Sequence, residues 1–275
     1  MRSRLLLSLV CLLAFTGRLA AAETPKPLRV LLVIGGCCHD YEKQKDILKD
    51  GIEARANVKV DLAFTADKTT RPALPILGNP DYAKGYDVVI HDECSADIKD
   101  PDLIKGVLAP HRAGVPAVNL HCAMHSYRIG PPAQPAEAGS ERAMWFEFLG
   151  LQSSGHGPKL PLTITFDGAK SPIVRGMAEW TTGPEELYNN IQVLPTATVL
   201  ARAKQTVKEK VVEAAVVWTN DYKGVRVFNT TIGHNNETVG DARYLDLVTR
   251  GLLWSCKKLG DDGQPAKGYG PAAAK

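Results

Sequence analysis

Along the first half of the chain, apolar runs alternate with helical stretches. Arg29 to Ile34 is a nearly continuous apolar run, of the kind buried on both faces of a parallel sheet. It breaks at Gly35 and Gly36, and a helical stretch follows from Lys43 to about Ala56. Val58 to Phe64 predicts a second strand, Tyr86 to His91 a third and Val115 to Leu120 a fourth. Thr65 to Pro80 reads as a long loop, and Pro101 to Ala113 as a helix with Pro101 well placed at its start. Repeated strand-then-helix units predict an α/β sheet whose right-handed crossovers bring successive strand ends to one edge.

After Tyr127 the pattern changes. Ile129 to Gly139, rich in Pro, Ala and Gly, predicts an exposed flap, and Glu141 to Leu149 a helix with Trp145, Phe146 and Phe148 packed inward. Ser153 to Gly157 reads as a flexible turn presenting His156, and Leu160 to Phe166 as an alternating strand. Pro172 to Met177 is a turn region, and Pro184 to Tyr188 leads into the apolar segment Ile191 to Leu194. Thr198 to Lys204, Val211 to Thr219 and Val225 to Thr230 predict three more strands, and Tyr244 to Lys257 a closing helix. The Gly, Pro, Ala and Lys composition of residues 259–275 predicts a disordered tail.

Ligands of an open α/β sheet are met at the carboxyl ends of its strands. The stretch VPAVNLHCAMHSY, Val115 to Tyr127, ends a buried strand in His121, Cys122 and His125, and His39 and His91 also follow predicted strand ends. His39 and Asp40 read as side chains aimed into a crevice, or Asp40 as a helix N-cap. His111 reads as a helix-end residue without a function. The Gly35 and Gly36 spacing matches neither the Rossmann nor the P-loop pattern. Cys37 or Cys38 should lie near Cys94 and Cys122, so a disulfide between strand ends is a structural alternative, with the pairing open.

Residues 1–22 read as a signal peptide: Arg2 and Arg4, an apolar run from Leu5 to Phe15, then Ala20 to Ala22. A lipoprotein signal at Cys11 is disfavoured by bulky Leu9 and Val10. The expected location is periplasmic or secreted. Of 33 basic and 30 acidic residues, this segment holds Arg2, Arg4 and Arg18 and no acid, so its removal leaves 30 against 30. That neutral balance gives no electrostatic case for nucleic acid or an anionic membrane as partner.

Five stretches, read together and in order, resemble the trehalose-utilisation (ThuA-like) family over roughly Leu28 to Lys257. They are GGCCHD at Gly35 to Asp40, LHCAMH at Leu120 to His125, GHGP at Gly155 to Pro158, EELY at Glu185 to Tyr188, and AVVWTNDYKGVRVFNTTIGHN at Ala215 to Asn235. The family's fold is similar to the class I glutamine amidotransferase domain. The resemblance implies one flavodoxin-like α/β domain over residues 28–258: a mostly parallel sheet flanked by helices, with additional strands in its C-terminal half. In those amidotransferases the strand matching Val115 to Leu120 ends in a nucleophilic cysteine between glycines. Here His121 or Cys122 occupies that neighbourhood without either glycine, which argues against glutamine hydrolysis and leaves a Cys122 and His125 dyad as a minor reading.

The resemblance also implies a small-molecule carbohydrate, a sugar or 3-keto-sugar glycoside, as the partner. Imidazoles titrating near neutrality can exchange protons with a carbon beside a carbonyl or with a leaving oxygen, which suits elimination, hydration, isomerisation or hydrolysis. His121 and His156 are the expected acid and base, with Glu186 and Asp40 orienting them. His39, Trp218 and His234 are expected to contact the sugar, Trp218 being either a stacking face or a core aromatic. His121 and His125, four apart, share one face if their segment is helical, and can grip zinc or another divalent ion with His39 or His156. Without an HExxH glutamate, a metalloprotease is disfavoured. A metal-dependent hydrolase, or a non-catalytic sugar-binding or scaffold protein, is the alternative.

Overall fold

The computed structural model describes residues 25–271. The N-terminal half runs β1 (Leu28–Gly36), α1 (Tyr41–Glu53), β2 (Val58–Thr65), β3 (Val88–Cys94), α2 (Pro101–Arg112), β4 (Ala117–Leu120) and α3 (Met144–Leu149). Then come β5 (Leu151–Phe166), β6 (Trp180–Val193), β7 (Ala197–Val207), β8 (Lys210–Tyr222), β9 (Val225–Thr230), α4 (Asn236–Val239) and α5 (Ala242–Ser255).

All nine strands form one sheet in the order β2-β1-β3-β4-β9-β8-β7-β5-β6. The first five are parallel, a flavodoxin-like core, and the pairings from β9 to β6 are antiparallel. The parallel strands are covered on both faces, which is why they read as continuous apolar runs. Leu32, Ile34, Val118 and Phe228 pack on one face with Leu48 and Ile52 of α1 and Val248 and Leu252 of α5. Val33, Val89 and Ala117 pack on the other with Ile104, Val107 and Leu108 of α2 and with Trp145 and Phe148. Asp100 caps α2 by accepting from the Asp102 N–H, and Pro101 sits in its first turn, where no donor is lost.

Several expectations are corrected. Ser153 to Gly157 is no turn; it belongs to β5, whose pairing with β6 shifts register between Ser153 and His156 and again between His156 and Lys159. Pro184 to Tyr188 likewise lies inside β6. Glycines and prolines at these bulges made two strands look like turns. The tail expected to be disordered is placed as far as Pro271: Leu259 bridges Pro265, Tyr269 accepts at its carbonyl from the Asn57 N–H, and Lys258 lies 4.8 Å over the Tyr269 ring. One aromatic anchor holds a segment whose composition alone favours disorder. The signal-peptide expectation at residues 1–22 lies outside the described residues. No described helix is long and apolar enough to cross a membrane.

Candidate functional site

Three loops at the carboxyl ends of β1, β4 and β9 meet over the sheet. After β1, Cys38 takes a left-handed conformation (φ 81°) and the next residue is His39. After β4 the chain turns at His121, also left-handed at φ 36°, into a 3-10 turn over His121–His125. A non-glycine residue held there costs about 1–3 kcal/mol, and such strain is typical of functional turns. His121 therefore sits at the sharp turn itself. After β9, Gly233 has φ 122°, and a Cβ there would come within 2.6 Å of the Tyr244 hydroxyl. Glu185 accepts from the next backbone N–H, that of His234, at 3.0 and 3.1 Å, and so fixes where that ring points.

Glu186, on β6, is the common neighbour of these loops. It is 5% exposed, and its carboxylate oxygens lie 3.5 Å from His121 Nε2, 3.4 Å from His234 Nδ1 and 3.6 Å from His156 Nδ1. These are ion-pair distances; His121 Nε2 and His234 Nδ1 are buried and make no well-formed hydrogen bond among the described residues. Burial alone would push the Glu186 carboxyl up, but the facing His121 and His234 rings outweigh it and hold it well below the ordinary carboxylate range. His39 packs edge-on against His121 and His234, with ring centroids 4.8 Å from each. Burial and those two neighbours push its imidazole down to about 2. His156 is the exposed member, with 42% of its side chain open to solvent. His39 and His234 also line an open crevice of about 450 Å³ with Cys38, Asp40, Lys68 and Asn236. A cavity of about 380 Å³ beside β7, lined by Phe166, Lys170, Arg202, Lys204 and Glu213, has no histidine or cysteine and lacks comparable chemistry.

His39, His121, His156, His234 and Glu186 are thus brought together, and other expected site residues are not. Trp218 is fully buried in the core and donates its indole N–H to the Leu149 carbonyl at 2.7 Å, so it is no sugar-stacking face. His125 is no partner of His121 around a metal. A 3-10 turn has about three residues per turn, so positions four apart diverge by about 120° rather than sharing a face. Its ring instead stacks on Tyr188 with centroids 4.2 Å apart, and Nε2 meets the Ser153 hydroxyl at 3.0 Å. Asp40 stays at the rim, accepting from Asn236 and paired with Lys43, and makes no ion pair among the described residues with His121 or His156, the rings it was expected to orient. As the α1 N-cap it makes no side-chain capping bond.

The cysteines pair as Cys37 with Cys38 and Cys94 with Cys122, the second joining the ends of β3 and β4. With its sulfur in a disulfide, Cys122 forms no nucleophilic dyad with His125. Cys256 is unpaired among the described residues, and burial pushes its thiol up to about 12. Residues missed at first include Tyr188, on which His125 stacks, and Glu185, which positions His234. Two adjacent carboxylates beside an aromatic in EELY were the available signal.

His91 was expected on the same edge, but β3 continues three residues past it to Cys94, and His91 faces the opposite side of the sheet. There Nδ1 meets Glu93 at 2.9 Å and Nε2 meets His111 Nε2 at 3.0 Å, while Tyr127 donates to Glu93 at 2.7 Å. His111 donates Nδ1–H to the Val115 carbonyl at 2.8 Å, and burial pushes its imidazole down to about 3. All four side chains are fully or almost fully buried.

Among solved structures, the chain is similar to a ThuA-like protein from Parabacteroides merdae, with 18% identity, a TM-score of 0.63, and coverage of 90% of this chain and 98% of that one. A ThuA-like protein from Bacteroides uniformis matches with 15% identity and a TM-score of 0.60, covering 90% and 97%. Agd3, described as a carbohydrate deacetylase, matches with 14% identity and a TM-score of 0.52, covering 84% of this chain and 33% of Agd3. No curated protein matches the sequence. The family described as ThuA, trehalose utilisation, matches residues 29–255, nearly the whole described chain with its strand-end histidines and β6 carboxylates. The chain belongs to the ThuA family.

Proposed function

We propose that this chain is an exported enzyme of carbohydrate metabolism, acting on a sugar or a 3-keto-sugar glycoside. The reading is carried by one observation: a buried carboxylate, Glu186, ringed by His121, His156 and His234 beside an open crevice. A ketone acidifies the neighbouring C–H, and a carboxylate with an exposed imidazole alongside can take that proton and deliver one to a departing oxygen. Elimination or hydration across such a bond fits this arrangement, and isomerisation or hydrolysis uses the same groups. Glu186 and His156 are the proton-exchanging pair. His121 is fixed by its Nδ1–H donating to the Thr231 carbonyl at 2.6 Å, and positions the carboxylate. The family's description, trehalose utilisation, and the carbohydrate deacetylase activity named for Agd3 support the substrate class. Export rests on the charged, apolar and small-residue sequence of residues 1–22.

The test is turnover and calorimetric binding on a panel of trehalose, methyl glucosides and their 3-keto forms. Conversion of a 3-keto glycoside supports the reading. Binding without conversion would make this a non-catalytic sugar-binding protein, and neither would remove carbohydrate as the substrate. The mature N-terminus, read by mass spectrometry from the native host, should be Glu23; an uncleaved chain held in the cytoplasm would remove export.

A further inference from the structure

The rings around Glu186 leave buried nitrogens without hydrogen-bond partners among the described residues. A backbone carbonyl only accepts, so His39 Nδ1, 3.1 Å from the His234 carbonyl, and His121 Nδ1, 2.6 Å from the Thr231 carbonyl, both donate. Nε2 is then the nitrogen of each ring left to meet a ligand. His121 Nε2 faces Glu186 Oε2 at 3.5 Å, buried and without a well-formed hydrogen bond among the described residues. His234 Nδ1, also buried and without a hydrogen-bond partner among the described residues, faces Oε1 at 3.4 Å. Buried polar atoms left like this are costly.

One dication relieves them together. Ring nitrogens of His39, His121 and His234 lie within 4.8 Å of one another, on three loops that come together only in the folded chain. We propose that His39, His121 and His234 bind a single divalent cation of the zinc class, with Glu186 as the adjoining carboxylate. Imidazoles whose far nitrogen donates to a carbonyl are oriented as metal-bound histidines usually are. A donor set of three imidazole nitrogens suits zinc and its first-row neighbours, and is unsuited to calcium or magnesium, which prefer oxygen. Around tetrahedral zinc, donors at about 2.1 Å stand about 3.4 Å apart, so the rings close in by roughly an ångström. The nearby sulfur group of Cys37, Cys38 and Cys94 is a weaker competitor, because those sulfurs are in disulfides and offer no thiolate. The proposal rests on the same cluster as the sugar chemistry, but its test reads metal and not turnover, so either can fail alone.

The test uses the mature protein made without a histidine tag, stripped with EDTA and titrated with zinc by calorimetry and with cobalt by visible absorption. One equivalent of zinc should bind at micromolar affinity or tighter. The cobalt form should show d–d bands and no sulfur-to-metal charge transfer, a result that needs no variant. His39→Ala and His234→Ala, at the partly exposed side of the cluster, should each weaken zinc binding by more than about 100-fold with circular dichroism unchanged. His156→Ala should keep the full equivalent. Absence of zinc binding to the wild type, unchanged binding in both triad variants, or a thiolate band in the cobalt spectrum would each overturn the site.

Discussion

The protein holds two imidazole clusters on opposite faces of one sheet, and their difference separates structure from chemistry. Around Glu93, the side chains of His91, His111 and Tyr127 form a chain of hydrogen bonds behind Trp145 and Phe148. Around Glu186, His121, His234 and His156 stand at 3.4–3.6 Å, the first two with a buried ring nitrogen unpaired, and the cluster adjoins a crevice. The residue types match; the pairing and access do not. In the sealed cluster both rings and the Tyr127 hydroxyl are paired, with Glu93 Oε2 left without a partner among the described residues, and such a network rigidifies a core, whereas rings left unpaired beside an opening are arranged to meet something else.

Substitutions can break this contrast, and the largest effect is expected in the sealed cluster. Glu93→Ala strands the His91 ring and the Tyr127 hydroxyl in the core and should cost about 3–5 kcal/mol in chemical denaturation. A loss below 1 kcal/mol would deny the cluster its structural role. Glu186→Gln should instead leave stability within about 1 kcal/mol while lowering turnover of a 3-keto glycoside by about 100-fold or more. A large loss of stability with normal turnover would reverse the assignment. Trp218→Phe removes the bond to the Leu149 carbonyl and should cost about 1–2 kcal/mol with sugar affinity unchanged; lost affinity at full stability would return Trp218 to the site.

The smallest effect calibrates the others, far from both clusters. Asp241 caps α5, accepting from the Arg243 N–H, and the Arg243 side chain holds its carboxyl below the ordinary value of 3.8. A carboxyl lowered in the folded state stabilises above its unfolded value, and that contribution fades as pH falls through the folded value. Asp241→Ala should therefore cost about 1 kcal/mol at neutral pH, with the charge-dependent part of the cost fading in acid. A cost independent of pH would assign the whole effect to helix geometry.

The parallel half of the sheet was legible because strands buried on both faces leave apolar runs, as at Arg29 to Ile34 and Val115 to Leu120. The antiparallel edge was less so. Gly155, Gly157, Pro158 and Pro184 sit at or beside bulges in β5 and β6 and carry the marks of turns, while the pairing that makes them strands is non-local. Within the site, His39, His121, His156, His234 and Glu186 were readable from strand ends and motif order. His91 was misplaced because β3 runs on to Cys94, so position within the strand and not the end of the apolar run set which face it takes. His125 failed as a metal partner because the turn is 3-10, and no spacing rule distinguishes that from an α-turn over five residues.

The most direct measurement of the central claim is a histidine-ring NMR titration of the protein with a methyl 3-keto-glucoside, since its seven histidines sample both clusters at once. The ring resonances of His39, His121, His156 and His234 should move with saturation, and those of His91 and His111 should stay in place. Movement confined to His91 and His111, or no movement around Glu186 at saturating sugar, would contradict the account.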